Sequence, residues 1–338
     1  MRAAVFDAPG RPLVITERPD PTPGPGELVL RVRSAGVCGT DLHLSSDPPA
    51  IPPGTVMGHE FAGDVIAVGA DVRGWRPGDR ACAMPWIGCG VCPACTADDQ
   101  LGCARLRTLG QGDLPGAHAE LVRVGAHEAL RLPNGLDHDA GALVEPLAVA
   151  VHARGAAALR PGDDVLVLGA GPIGLAVATC ARHFGAADVV VVDRLPARRA
   201  LAATFGASAA VDPDDDAGLA RLATARGDAP AVVVECVGAP GMLGASLQHV
   251  RRRGRVVVAG ACMAPDTLMP AMACLKEATL HFVMAYSRAD FALALRLLAE
   301  GRIAGPAMVT DRVGLDAFPA AFEALRRPTT QCKTILRP

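Results

Sequence analysis

Apolar and polar positions alternate in short runs through the first part of the chain, at 28–33, 63–68 and 119–124, each cut by turn residues. A period of two with β-branched residues predicts strands, mostly antiparallel. From Pro161 the texture changes. Apolar runs at 165–168, 189–192, 231–234, 256–259 and, with His281 inside it, 280–284 alternate with Ala- and Leu-rich stretches at 173–184, 196–205, 242–251 and 289–300. Buried strands alternating with helices predict a doubly wound parallel sheet. A strand-like segment at 308–312 and a final strand at 333–336 follow. No internal repeat or low-complexity linker interrupts the pattern.

Length turns this pattern into a domain expectation, because 338 residues suit two cores better than one. Half the residues are apolar and 20% are charged, which is a globular composition. A formal net charge of −2 with both signs interspersed gives no basic stripe for nucleic acid and no basic face for a membrane. One Tyr and two Trp argue against stacking platforms for bases. Residues 165–181 are uncharged but broken by Gly169, Gly171, Pro172 and Gly174, so a membrane span is not expected. Arg2 and Asp7 interrupt the start before a signal peptide could form, and a cytoplasmic location is expected. Eleven cysteines in such a compartment point to metal ligation rather than disulfides where they cluster.

Two motifs carry chemistry through spacing and context. The apolar run at 165–168 leads into Gly169-Ala170-Gly171-Pro172-Ile173-Gly174 and then a helical stretch, the strand–turn–helix setting in which G-x-G-x-x-G cradles a pyrophosphate. The next strand ends at Asp193, ~20 residues on, where a carboxylate accepts from the adenosine ribose hydroxyls and repels a 2′-phosphate. NAD is therefore expected over NADP. Arg194, Arg198 and Arg199 leave NADP open, because they read either as surface charges or as contacts on the adenosine side. The second motif is Cys89, Cys92, Cys95 and Cys103 in a Gly- and Pro-containing loop. Four thiolates at this spacing close a tetrahedron around a structural zinc.

Further segments acquire meaning only together: Cys38-Gly39-Thr40-Asp41-Leu42-His43, Gly58-His59-Glu60 and Glu145-Pro146-Leu147. Singly, Cys38 reads as a small core residue, His59 as a core histidine and Glu145 as a surface acid. With the cysteine lobe, the nucleotide motif and Lys333-Thr334-Ile335-Leu336, the chain resembles the zinc-containing medium-chain dehydrogenase/reductase family, in its bacterial polyol, threonine and secondary-alcohol branch. The resemblance implies a GroES-like β-rich catalytic domain at 1–146, to which 285–338 return, and a Rossmann domain at 147–284. It implies catalytic zinc ligands at Cys38 and His59, with Glu145 where the remaining ligand stands. Glu60 matches a carboxylate beside the metal that binds it in some members. Such a set, with one exchangeable position, is Lewis-acidic. The resemblance further implies that Thr40 bonds the substrate oxygen, that His43 ends the proton relay, and that Cys236, Val237 and Gly238 line the nicotinamide end.

The expected enzyme is a zinc-dependent NAD alcohol dehydrogenase with two zinc ions per chain, one catalytic and one structural. The resemblance suggests a homotetramer, with a homodimer as alternative. Two departures from the family pattern shape the substrate expectation. His118 stands where an aromatic is common, and reads as a packing change rather than a ligand. Ala285 replaces the Arg that precedes the Tyr in polyol enzymes, which favours a less hydroxylated secondary alcohol, in a pocket to which Trp86, Met57 and Met284 are candidates. A polyol or 2,3-diol dehydrogenase is the enzymatic rival. A nucleotide- and zinc-binding structural or regulatory protein is the non-enzymatic one, and the Thr40/His43 pair counts against it.

Overall fold

The computed structural model describes residues 1–215 and 229–338. Contacts divide it into two units: Met1–Glu145 with Ser287–Ala299 and Val309–Pro338, and Pro146–Tyr286 with Glu300–Met308. No described helix is long and apolar enough to cross a membrane. The uncharged stretch at 165–181 is strand, turn and helix.

The second unit is built on a six-stranded parallel sheet among the described residues. Counted from Asp164–Leu168 as first, the order across it is third, second, first, fourth, fifth, sixth: Ala209–Val211, Asp188–Val192, Asp164–Leu168, Val232–Glu235, Arg255–Val258 and Thr279–Phe282. This is the dinucleotide-binding order, with its topological switch between the first and fourth strands. The runs of the four inner strands are buried because helices cover both faces, and Val167, Val191, Val233 and Val257 have no measurable exposure, whereas the edge strand Thr279–Phe282 is largely exposed. Each such side chain contributes about 1.5–3 kcal/mol by leaving water, so valines rather than ladder hydrogen bonds carry the sheet. Helix Pro172–His183 starts with Pro in its first turn after Gly171 and ends on Arg182 and His183, which suit the negative end of its dipole. The strand Ala209–Val211, too short and alanine-rich for the pattern to announce, completes the edge.

In the first unit the ten-residue strand Glu27–Gly36 is the hub. It pairs antiparallel with Glu60–Val68, Leu121–Gly125 and Lys333–Arg337. The buried Asp139 joins distant parts of this unit, accepting from Ser34 at 2.6 Å, Arg312 at 2.7 Å and Arg337 at 2.6 Å. Those partners hold its carboxyl below the usual carboxylate range although burial opposes ionisation. Glu300–Met308 groups with the second unit, where the Thr179 hydroxyl accepts from the Ala304 amide at 3.0 Å.

Candidate functional site

Strand Glu27–Gly36 delivers Cys38, which caps the short helix Gly39–Leu44. Asp41, in the first turn of that helix, reaches back to accept from the Cys38 amide at 2.9 Å and across to the Gly58 amide at 3.3 Å. The same carboxylate faces His59 Nδ1 at 3.3 Å. One buried side chain thus ties together two of the three segments that carry the expected ligands. The 3.3 Å approach is an ion-pair contact outside hydrogen-bond geometry; in the neutral ring a carboxylate on that side favours the proton on Nδ1 and would leave Nε2 for a metal. Burial opposes ionisation of Asp41, but the charge of His59 and its hydrogen bonds hold the carboxyl down at about 2. Burial likewise opposes protonation of His59, and Asp41 and Cys38 outweigh it. An imidazole, a thiol and nearby acids are a donor set that suits a zinc ion, although their ligand atoms are not gathered within 4.8 Å of one another.

Glu60, next in the chain, is fully buried and engaged elsewhere. Lys333 Nζ donates to both of its oxygens, at 2.7 and 2.6 Å, and to the Val37 carbonyl at 2.9 Å. Burial would lower the lysine pKa, but Glu60, Cys38 and Glu145 raise it. Glu145 is buried in the first turn of helix Val144–Ala156. Thr40 Oγ1 lies 3.5 Å from Cys38 Sγ, and His43 is exposed on the last turn of the same short helix. Of the candidate pocket residues, Met57 and Trp86 are buried in the first unit and Met284 is exposed. His118 is buried against Gly58 and hydrogen-bonds away from the ligands.

The four-cysteine lobe is of another kind. All four sulfurs lie within 4.8 Å of one another, the one such group of three or more candidate ligand atoms among the described residues. Cys89 and Cys95 sulfurs are 3.9 Å apart, close to the ~3.8 Å edge of a tetrahedron with zinc–sulfur bonds of about 2.3 Å. Backbone amides already point at the sulfurs: Cys89 to Cys103 at 3.5 Å, Cys95 to Cys92 at 3.5 Å and Arg105 to Cys103 at 3.4 Å. Donation from the Val91 amide is the main cause that lowers Cys89 to about 5, whereas burial pushes Cys95 up to about 12.

In the second unit Gly169 takes a φ of 98°, and a Cβ on Gly174 would collide with its carbonyl. Asp193 accepts from the Ala170 amide at 2.7 Å and the Leu195 amide at 2.8 Å, so its carboxylate is pinned against the glycine turn. Arg198 Nη1 comes within 3.8 Å of where a Cβ on Gly171 would stand, and Arg194 is exposed. Pro172 and Ile173 open the helix. Across the switch point, a Cβ on Gly169 would meet Val237 at 3.1 Å and Cys236 at 3.3 Å.

Three residues here had no assigned role in the sequence reading. Asp41 was visible only as part of a motif, although its position three residues after Cys38 is a capping-box spacing. Lys333 was visible only within a terminal motif. Glu235, an acid ending the apolar strand Val232–Glu235, is buried and accepts from the amides of Val237 at 2.6 Å and Gly238 at 2.8 Å, shaping that turn.

Comparison with known proteins decides the family. Residues 24–134 match the alcohol dehydrogenase GroES-like domain and residues 172–300 the zinc-binding dehydrogenase domain. L-galactonate-5-dehydrogenase of Escherichia coli (strain K12) is 32% identical over 92% of this chain and 91% of its own. The chain belongs to the zinc-containing medium-chain dehydrogenase/reductase family. Among solved structures, alcohol dehydrogenase TADH from Thermus sp. ATN1 superposes on this dehydrogenase with a TM-score of 0.91 and 33% identity, over 100% of this chain and 99% of that one. A zinc-binding dehydrogenase from Sinorhizobium meliloti 1021 bound to NADP gives 0.89 and 30%, over 100% and 99%. The GroES-like and Rossmann expectations hold, and the dehydrogenase is a zinc-dependent oxidoreductase of alcohols that uses NAD(P).

Proposed function

We propose that this dehydrogenase carries two zinc ions per chain and oxidises a secondary alcohol of low hydroxyl content with NAD. The observation that carries the reading is the Asp41 anchor, which fixes Cys38 and His59 beside the Thr40 hydroxyl. Cys38 and His59, with Glu145 as the third ligand, hold the catalytic metal, and Cys89, Cys92, Cys95 and Cys103 hold the structural one. The pairing of Glu60 with Lys333 favours a charge-balancing role beside the metal over direct ligation. When bound, zinc supplies a Lewis acid that makes an alcohol hydroxyl more acidic, and the nicotinamide accepts hydride. The Thr40 hydroxyl would accept the alcohol proton at Oγ1 while passing its own proton outward, and exposed His43, on the same helix, would accept the relayed proton and release it to water. Asp193 receives the adenosine ribose; its fixed charge disfavours a 2′-phosphate, while Arg198 beside the glycine turn supports the NADP alternative.

Ala285 removes a polar anchor and favours a mono-alcohol, whereas the kinship with a galactonate dehydrogenase favours the polyol or diol reading. The edge strand Thr279–Phe282, with exposed Phe282 and Met284 at its end, supports association into a homotetramer, or a homodimer. A panel of secondary alcohols, 2,3-diols and polyols with NAD and NADP, read as cofactor absorbance, tests the assignment. The expected result is the highest kcat/KM for a mono-alcohol with NAD. A polyol preferred over its matching mono-alcohol overturns the substrate reading, and preference for NADP overturns the cofactor reading.

A further inference from the structure

We propose that His118 is a positioning residue of the catalytic metal site, tying the strand end that delivers Cys38 to the turn that delivers His59; the inference rests on Cys38 and His59 holding a metal. His118 is fully buried and sits where four segments of the first unit meet. Its backbone accepts from Ala4 at 2.9 Å and donates to Met57 at 2.9 Å. Its Nε2 lies 3.2 Å from the carbonyl of Gly36, two residues before Cys38. Gly58, one residue before His59, takes a φ of 99°, and a Cβ there would meet His118 Cδ2 at 2.5 Å and its amide nitrogen at 2.7 Å. From the other side Phe318 packs edge-on at a centroid distance of 4.7 Å. The ring therefore touches the Cys38 and His59 segments through Gly36 and Gly58, without contact to either ligand side chain being needed to hold it.

The choice of imidazole at this position needs a reason. The Gly36 carbonyl only accepts, so Nε2 carries the proton and donates, and the neutral ring has a bare Nδ1. That Nδ1 is buried with no hydrogen-bond partner among the described residues, a cost that phenylalanine would avoid in the same space. Burial holds the ring neutral, below the ordinary imidazole range. What imidazole adds over an apolar ring is the Nε2–H bond to Gly36. Groups bonded directly to a ligand set metal affinity by about 10–100-fold, and His118, bonded to the backbone two residues before Cys38, should act below that range.

The test compares wild type, His118→Phe and His118→Gln, all zinc-loaded, by zinc content and by the rate of zinc release to a chromophoric chelator; Cys38→Ala identifies the catalytic phase by lacking it. The Phe variant keeps the ring and loses the donor, and its catalytic zinc should leave about threefold or more faster, with the four-cysteine phase unchanged. The Gln variant places an amide donor where Nε2 stands and should recover most of that loss. Should the Phe variant fail to fold, His118→Asn, whose amide is too short to reach Gly36, replaces it in the comparison with Gln. Catalytic-phase release equal to wild type in the donor-less variant overturns the role of His118. A wild-type protein with a single zinc, released in one phase that Cys38→Ala retains, overturns instead the metal reading beneath it.

Discussion

The two regions of this dehydrogenase proposed to hold zinc are opposites in construction. The four cysteines lie within one loop, their sulfurs already gathered within 4.8 Å, with neighbouring amides aimed at them. Cys38, His59 and Glu145 come from three separate segments and do not form a comparably tight group. A site assembled from a distance depends on side chains that never touch the reacting atoms. Asp41 locks two of its segments to each other, and Lys333 neutralises the acid beside them. The loop site is self-contained, so its failure should be a matter of stability, and failure of the dispersed site a matter of chemistry.

The sharpest way to break this contrast is one cysteine from each region. Cys38→Ala should lose about one zinc and lower kcat by about a thousandfold or more while the protein stays folded, because the Lewis acid is lost with its ligand. Cys95→Ala should also lose one zinc but should chiefly lower the melting temperature. Metal analysis with kinetics on both variants reads the difference; normal kcat in Cys38→Ala would end the catalytic assignment. A smaller effect is expected one layer out. Lys333→Met leaves Glu60 buried and unpaired, which should cost about 3–5 kcal/mol in denaturant unfolding, with the four-cysteine zinc retained. A loss under about 1 kcal/mol would mean that Glu60 finds another partner, the metal included. The smallest effect belongs to exposed His43. His43→Gln should keep both zinc ions and cofactor affinity, slow alcohol oxidation most near neutral pH, and approach wild type in alkali as hydroxide takes the proton. A pH–rate profile that superimposes on wild type removes His43 from the relay.

Much of this architecture was legible in the sequence because it is written in local periods. The valine runs forecast the parallel strands to within a residue or two, and the helix at 173–184 appears as Pro172–His183. The four-cysteine lobe was legible for the same reason, since spacing within one loop constrains geometry. The short strand Ala209–Val211 was not, because three residues cannot display a period. Nor was the pairing of Glu60 with Lys333, 273 positions apart, which no window along the chain can join. Glu60 read as an acid near a metal; its lysine partner appears only when the terminal strand is seen beside Gly36 and Ala35. Asp41 lay in plain view, but a motif letter does not say that one carboxylate serves two segments.

The return of Lys333–Arg337 to the strand Glu27–Gly36 also sets an order of events at the ribosome. Chains fold largely from the N-terminus as they emerge, and the six-stranded sheet is complete in sequence once Phe282 is out. The first unit, though begun earlier, then still lacks the strand that carries the counter-charge of Glu60. Its hub edge stays open and its buried acid uncompensated throughout synthesis of the nucleotide-binding sheet. The half of the molecule translated first is therefore the half finished last, and nascent chains halted short of Lys333 present chaperones and proteases with an unfinished catalytic unit beside a finished cofactor unit.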